Sequence, residues 1–204
     1  YAGSWESNSV PISYKIQRWI LPYFSKKSII TINNSTKNLR NNFYNFSNPC
    51  FEEKIIGMNR ALVEKKEFSS GLNLVFVGRV EESKGIDDLL QIFQKLGNMK
   101  NINSLKIIGE SKRMQYYKQQ ARISSPKISI LGPLKRESIF NIYSNSHILI
   151  LLSKSEGFPK VIMEAGVFGC VPIVSNFSGV SEIINHGLDG FIMQTSKNQY
   201  NHND

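Results

Sequence analysis

From Leu72 onward the chain alternates short apolar runs with stretches of helical period, and this alternation constrains its fold more than any other feature. Leu72–Val77 (LNLVFV), Leu105–Ile108, Lys127–Leu131, His147–Leu152 (HILILL) and Val171–Val174 read as strands. Each is too short for an ordinary helix. Between them, Ile86, Leu89, Leu90 and Phe93 mark a helix ending near Gly97. Met114, Tyr117 and Ala121 mark a second, and Ile139, Phe140 and Tyr143 a third. A helix beginning at Pro159 and a short one over Val180–Ile184 follow, then a last strand at Phe191–Met193. The pattern predicts an α/β fold: a Rossmann-like, doubly wound parallel sheet with helices on both faces. Ligands of such sheets bind at the carboxyl ends of the strands.

The first part of the chain has a different rhythm. Ile16, Trp19, Ile20 and Tyr23 predict a helix over Ser13–Phe24. Ser28–Ile32 reads as a short strand. Ser35–Phe46 reads as an Asn-rich helix with Leu39, Phe43 and Phe46 on one side, broken by Asn48-Pro49. Glu52–Ser70 is charged and reads as an irregular linker. The expected division is 1–68 as part of another domain with a linker, 69–194 as the α/β domain, and 195–204 as a polar tail. No run approaches the ~18 apolar residues that span a bilayer. Cys50 and Cys170 stand in no metal or disulfide spacing, which predicts a reducing, cytoplasmic setting. The net charge of +9 predicts anionic partners: phosphates, nucleotides, or an anionic membrane surface touched peripherally. It is diffuse, so nucleic acid is not indicated.

Two strand ends carry candidate chemistry. The Leu72–Val77 strand runs into Gly78-Arg79-Val80-Glu81-Glu82-Ser83-Lys84-Gly85. Gly78 allows close backbone approach. Arg79 and Lys84 offer a planar fork and a point charge, both suited to a diphosphate. The competing reading is two surface cations, with Lys84 paired to Asp87 or Asp88. The HILILL strand runs into Glu156-Gly157-Phe158-Pro159-Lys160-Val161-Ile162-Met163-Glu164, which sets two carboxylates eight positions apart. Pro159 suits the first helical position. Lys160 beside it opposes the helix dipole by about 0.3–1 kcal/mol unless an anion binds there, met by the amides of Lys160 and Val161. The competing reading is solvated charges on a loop and helix. Gly157 supplies a turn, and Phe158 is either a packing residue or a floor for a sugar. The backbone at Gly132-Pro133-Leu134 lies where a nucleobase edge could be read, and Ser178-Gly179 ends another strand. His147 reads as a structural histidine.

Taken in order, GRVEESKG, the ILG strand ending, EGFPKVIMEA, GCVPIVSNFSGVSEII and GLDGF resemble glycosyltransferase family 4 over about Leu72–Met193. The resemblance implies a retaining, nucleotide-sugar-dependent enzyme of the GT-B fold, of which this stretch is the donor-binding half. It implies that Arg79 and Lys84 contact the donor diphosphate, with the Lys160 and Val161 amides on phosphate. Glu156 faces the transferred sugar and Glu164 the ribose hydroxyls. It further implies an acceptor that is a saccharide or lipid-linked, a role in surface polysaccharide or glycolipid synthesis, and no metal or other cofactor.

The sequence departs from that pattern at Pro159, where glycine is more usual, and at Glu110, which follows Gly109 where a second glycine is common. The acceptor-side domain and the family's C-terminal helices are expected to be largely missing, so that donor binding is expected of this chain and sugar transfer is not. The apolar residues Trp19, Ile20, Phe43 and Phe46 are then expected to form an exposed patch. Two other functions fit the same residues: a nucleotide-binding module without catalysis, and a non-hydrolysing sugar-nucleotide epimerase of the same fold. Incubation with donor alone separates the epimerase, because it needs no acceptor.

Overall fold

The computed structural model describes residues 12–24, 30–32, 43–45, 53–96, 100–177 and 179–194. In chain order the elements are α1 (Ile12–Phe24), β1 (Ile30–Ile32), β2 (Phe43–Asn45), α2 (Glu53–Glu64) and β3 (Leu72–Val77). Then come α3 (Ile86–Leu96), β4 (Ile102–Ile108), α4 (Met114–Ser124), β5 (Ile128–Gly132) and α5 (Arg136–Ser144). The series closes with β6 (Ile148–Leu151), α6 (Lys160–Val167), β7 (Val171–Ser175) and β8 (Phe191–Met193). Single 3-10 turns occupy Glu82–Lys84 and Val180–Glu182; the second stands where a short helix over Val180–Ile184 was expected.

β3 to β8 form one parallel sheet in the order β5-β4-β3-β6-β7-β8. The chain therefore winds outward from β3 to β5, crosses back beside β3, and winds outward the other way. This is the doubly wound order, and its reversal between β3 and β6 opens a crevice at their carboxyl ends. Neighbouring residues of a strand face opposite sides of the sheet. Val75 and Phe76 are both at 0% exposure, so helices cover both faces, as the apolar runs predict. Ile86 and Leu89 of α3, Tyr143 of α5 and Ala165 of α6 complete this core. Full burial of each such Ile, Leu or Phe stabilises the fold by about 1.5–3 kcal/mol.

Three expectations need correction. The helix expected over Ser35–Phe46 is contradicted where it can be seen: Phe43–Asn45 is a strand, paired parallel to β1 with Ile30 opposite Phe43. The rest of that stretch lies outside the described residues. Phe43 and Tyr44 suit a pleated ladder, and a partner strand distant in sequence outweighs local helical spacing. The irregular linker over Glu52–Ser70 is in fact α2 for most of its length. Its Glu, Lys, Met, Ala and Leu residues favour helix enough to carry Gly57. β4 also begins three residues earlier than expected.

The segment leading into β3 packs on the sheet's helices. A Cβ at Gly169 would come within 2.8 Å of the Val63 side chain, so Val63 rests directly on that glycine. Lys66 Nζ donates to Phe168 O at 2.6 Å, to Tyr143 O at 3.2 Å and to Ser146 O. One ammonium thus caps the carboxyl ends of both α5 and α6, where helix dipoles favour a cation. Half-buried, Lys66 titrates below the usual ammonium range because burial disfavours its charge.

His147 has the structural role its position predicts. Its Nδ1 accepts the Asn73 amide at 2.9 Å, and its own amide donates to Asn73 O at 2.7 Å. The exposed apolar patch is seen in part: Trp19 is 69% and Ile20 37% exposed, while the Phe43 side chain and Phe46 lie outside the described residues.

Candidate functional site

The site grows from the crevice between β3 and β6. Backbone pairing continues past β3, with the Gly78 amide on Ile108 O and the Val80 amide on Glu110 O. The chain then makes the Glu82–Lys84 turn, closed by Gly85 at φ +73°. A Cβ at Gly85 would sit 2.1 Å from Leu152 O, so the turn lies against the end of β6. Only glycine tolerates both that approach and that φ. The Lys154 amide donates to Ser83 O at 3.0 Å, and its ammonium pairs with Glu82.

This clasp brings the two expected motifs together. Lys84 Nζ lies 2.7 Å from Glu156 Oε1, with side chains only 18% and 12% exposed. The alternative partners of Lys84 are not used; Asp87 instead accepts the Tyr117 hydroxyl at 3.2 Å. Arg79 is exposed and pairs with Glu81 at 3.1 Å. Arg79 and Glu81 line a cleft of about 420 Å³ with Glu110, Ser111, Lys112, Met114 and Pro133. The cleft runs along the carboxyl ends of β3, β4 and β5. Leu134 follows Pro133 there and is partly exposed.

At α6 the geometry departs from expectation. Pro159 is the residue before the helix, not its first, and the helix starts at Lys160. With φ −78° and ψ 83°, Pro159 forms the centre of an inverse γ-turn. That turn folds the Lys160 amide back onto Phe158 O at 2.9 Å. Lys160 therefore spends its amide within the loop, while no acceptor for the Val161 amide is found among the described residues. Gly157 and Phe158 are both half-buried beside Glu156.

Glu164 sits one turn into α6, 18% exposed, with Arg136 Nη2 at 3.5 Å. Burial raises its pKa above the usual carboxylate range; Arg136 and then Lys160 oppose the shift. The folded state thus holds a proton on Glu164 more readily than the unfolded chain does. Its contribution to stability is present below the ordinary value of 4.5 and is lost as pH rises through the folded value. Glu164→Gln is therefore expected to raise the melting temperature at pH 7, because the amide carries no charge to desolvate. A lower melting temperature would mean that the Arg136 pair outweighs desolvation.

The sequence reading missed Arg136, Lys154, Ser111, Lys112 and Met114. Arg136 had a readable signal. A cation in the first turn of a helix after a strand end opposes the dipole, as at Lys160. The others sit in the cleft or clasp through strand order alone. Among the described residues, no three His, Cys, Asp or Glu side chains come together as metal ligands.

Residues 60–202 match the family model described as glycosyl transferases group 1. Over 174 residues the chain is 28% identical to an uncharacterized glycosyltransferase of Haemophilus influenzae, covering 81% of this chain and 47% of that protein. It is 26% identical to a lipopolysaccharide 1,2-N-acetylglucosaminetransferase of Salmonella typhimurium, covering 58% of this chain and 34% of the relative. The chain spans about half the length, or less, of these curated relatives. Among solved structures, the apo form of the lipopolysaccharide outer core galactosyltransferase WaaB superposes with a TM-score of 0.52 at 26% identity. That match covers 64% of this chain and 38% of the other. The neighbours are GT-B glycosyltransferases, with the same parallel α/β architecture. By the match over residues 60–202, the chain belongs to the group 1 glycosyl transferases.

Proposed function

We propose that residues 69–194 form the donor-binding unit of a retaining glycosyltransferase of family 4, which takes a sugar from a nucleoside-diphosphate-sugar. The observation that carries this reading is the Lys84–Glu156 ion pair at the sheet's switch point, with Arg79 on the adjoining cleft. Anionic ligands of doubly wound sheets bind there. Residues 1–68 belong, in this reading, to the acceptor side. The acceptor is a saccharide or a lipid-linked saccharide of a cell-surface polymer, which the names of the Salmonella and WaaB relatives support. The excess positive charge favours peripheral contact with the inner face of an anionic membrane. No metal is called for.

The chemistry follows from charge. The bond from the anomeric carbon to the diphosphate oxygen breaks, and the acceptor oxygen bonds to the same face of that carbon. The acceptor's proton passes to the departing diphosphate. Negative charge grows on the diphosphate, where Arg79, Lys84 and the Val161 amide can stabilise it. Glu156 orients the sugar through its hydroxyls, and Glu164 takes the ribose in exchange for Arg136.

Calorimetry with UDP-, GDP- and ADP-sugars, beside the free diphosphates, tests the donor site. One family of donors is expected to bind, and Arg79→Ala to weaken its nucleoside diphosphate by about 1.5–3 kcal/mol. Unchanged affinity in a folded Arg79→Ala variant would remove Arg79 from the site. In a sugar-transfer assay, an inverted anomeric product by NMR would overturn the retaining assignment.

A further inference from the structure

Glu156 and Lys84 are joined to each other more closely than two independent contacts to sugar and phosphate would require. Their 2.7 Å separation is a direct charge-assisted hydrogen bond. Both side chains are largely withdrawn from water, so salt screens the pair less than a surface pair. Backbone holds them there: Gly85 abuts Leu152 O, and the Lys154 amide bonds Ser83 O.

We propose that Glu156 competes with the donor diphosphate for Lys84, and so weakens the hold on a bare nucleoside diphosphate relative to a nucleotide-sugar. The inference rests on the donor-site reading above. A diphosphate that reaches Lys84 must either displace the Glu156 carboxylate or lie beside it, and like charges at a few ångströms repel. A donor sugar changes the balance, because its hydroxyls donate to the carboxylate and replace the ammonium it gives up. A bare diphosphate brings no such donors. After transfer the sugar is gone, and Glu156 returns to Lys84 against the product. The pair therefore favours substrate over product and promotes product release.

The test is calorimetric titration of the full chain with UDP, GDP, ADP and inorganic pyrophosphate, and with UDP-glucose, GDP-mannose and ADP-glucose. The proteins are wild type, Glu156→Gln, Lys84→Met and the double variant, each checked by thermal melting. Glu156→Gln is expected to bind the bare diphosphate at least fivefold tighter and the matching nucleotide-sugar no tighter. In the Lys84→Met background the same substitution is expected to give a clearly smaller gain, because only the repulsion between carboxylate and diphosphate is then relieved. Unchanged or weaker diphosphate binding by Glu156→Gln would overturn the competition while leaving the donor site standing. An equal gain without Lys84 would also overturn it. Failure of wild type to bind any of these probes would overturn the donor-site reading, and this inference with it.

Discussion

Replacing Gly109 by alanine is expected to cost about 4 kcal/mol or more, at the exceptional end for a single substitution. Gly109 follows β4 at φ +147°, and a Cβ there would fall 1.7 Å from Gly78 O and 2.7 Å from Gly78 C. Both are backbone atoms, so no side-chain rotation can relieve the overlap. The strand ends would have to separate, although the Gly78 amide is bonded to Ile108 O and the Gly109 amide to Gly132 O, each at 3.0 Å. Separation also moves Arg79, the next residue, so nucleotide binding should fall with stability. Gly132 is the control. It too has a positive φ, +78°, but no atom lies within 4 Å of a Cβ built there. Gly132→Ala should cost only the left-handed penalty of about 1–2 kcal/mol. Urea unfolding of the two variants makes the comparison, and equal losses would show that the Gly78–Gly109 approach is not rigid.

Lys66→Met should be nearly as damaging, with an expected loss of about 3 kcal/mol. Methionine keeps the length of the side chain and removes the ammonium. The carbonyls of Tyr143, Ser146 and Phe168 then lose a charged donor. The Cys170 thiol can compensate only weakly; its Sγ already lies 3.3 Å from Tyr143 O and from Ser146 O. A loss below ~1 kcal/mol in urea unfolding would mean that water replaces the ammonium at little cost.

The same cluster predicts alkaline instability. Burial pushes the Cys170 thiol from 9.0 up to about 11, with Lys66 opposing the shift. A raised acid stabilises the fold below its unfolded value and loses that contribution as pH rises through the folded one. Stability should therefore fall between pH 9 and pH 11, by on the order of 2–3 kcal/mol from Cys170. Lys66 acts with the opposite sign: its folded value lies below 10.5, so its contribution rises with pH up to that point and offsets part of the fall. Cys170→Ala should flatten the profile of melting temperature over this range. An unchanged slope would assign the alkaline loss to the buried phenols, Tyr117 at about 12 and Tyr143 above the ordinary range, both raised chiefly by burial.

The sequence by itself determined the layers of this protein. β3 falls on Leu72–Val77 as its composition predicts, and α3 to α6 follow the expected apolar spacings within a residue or two. Periodicity records how much of its own surface a segment buries, whatever the partner, so element type and the covering of both sheet faces were legible. The strand ends that bear Arg79, Lys84, Glu156 and Glu164 were legible for the same reason, because ligands meet a parallel sheet where its strands stop. The partner of each charged residue was not. Lys84 has Asp87 and Asp88 nearby in sequence yet pairs with Glu156, 72 positions away, because the winding order sets β6 beside β3. The strand at Phe43–Asn45 depends in the same way on Ile30–Ile32, and Lys66 on carbonyls brought together by α5 and α6. The Lys160 amide was lost to a turn whose ψ at Pro159 no residue type prescribes. Only the tertiary structure decides such pairings, because they join groups whose separation in space is unrelated to their separation along the chain.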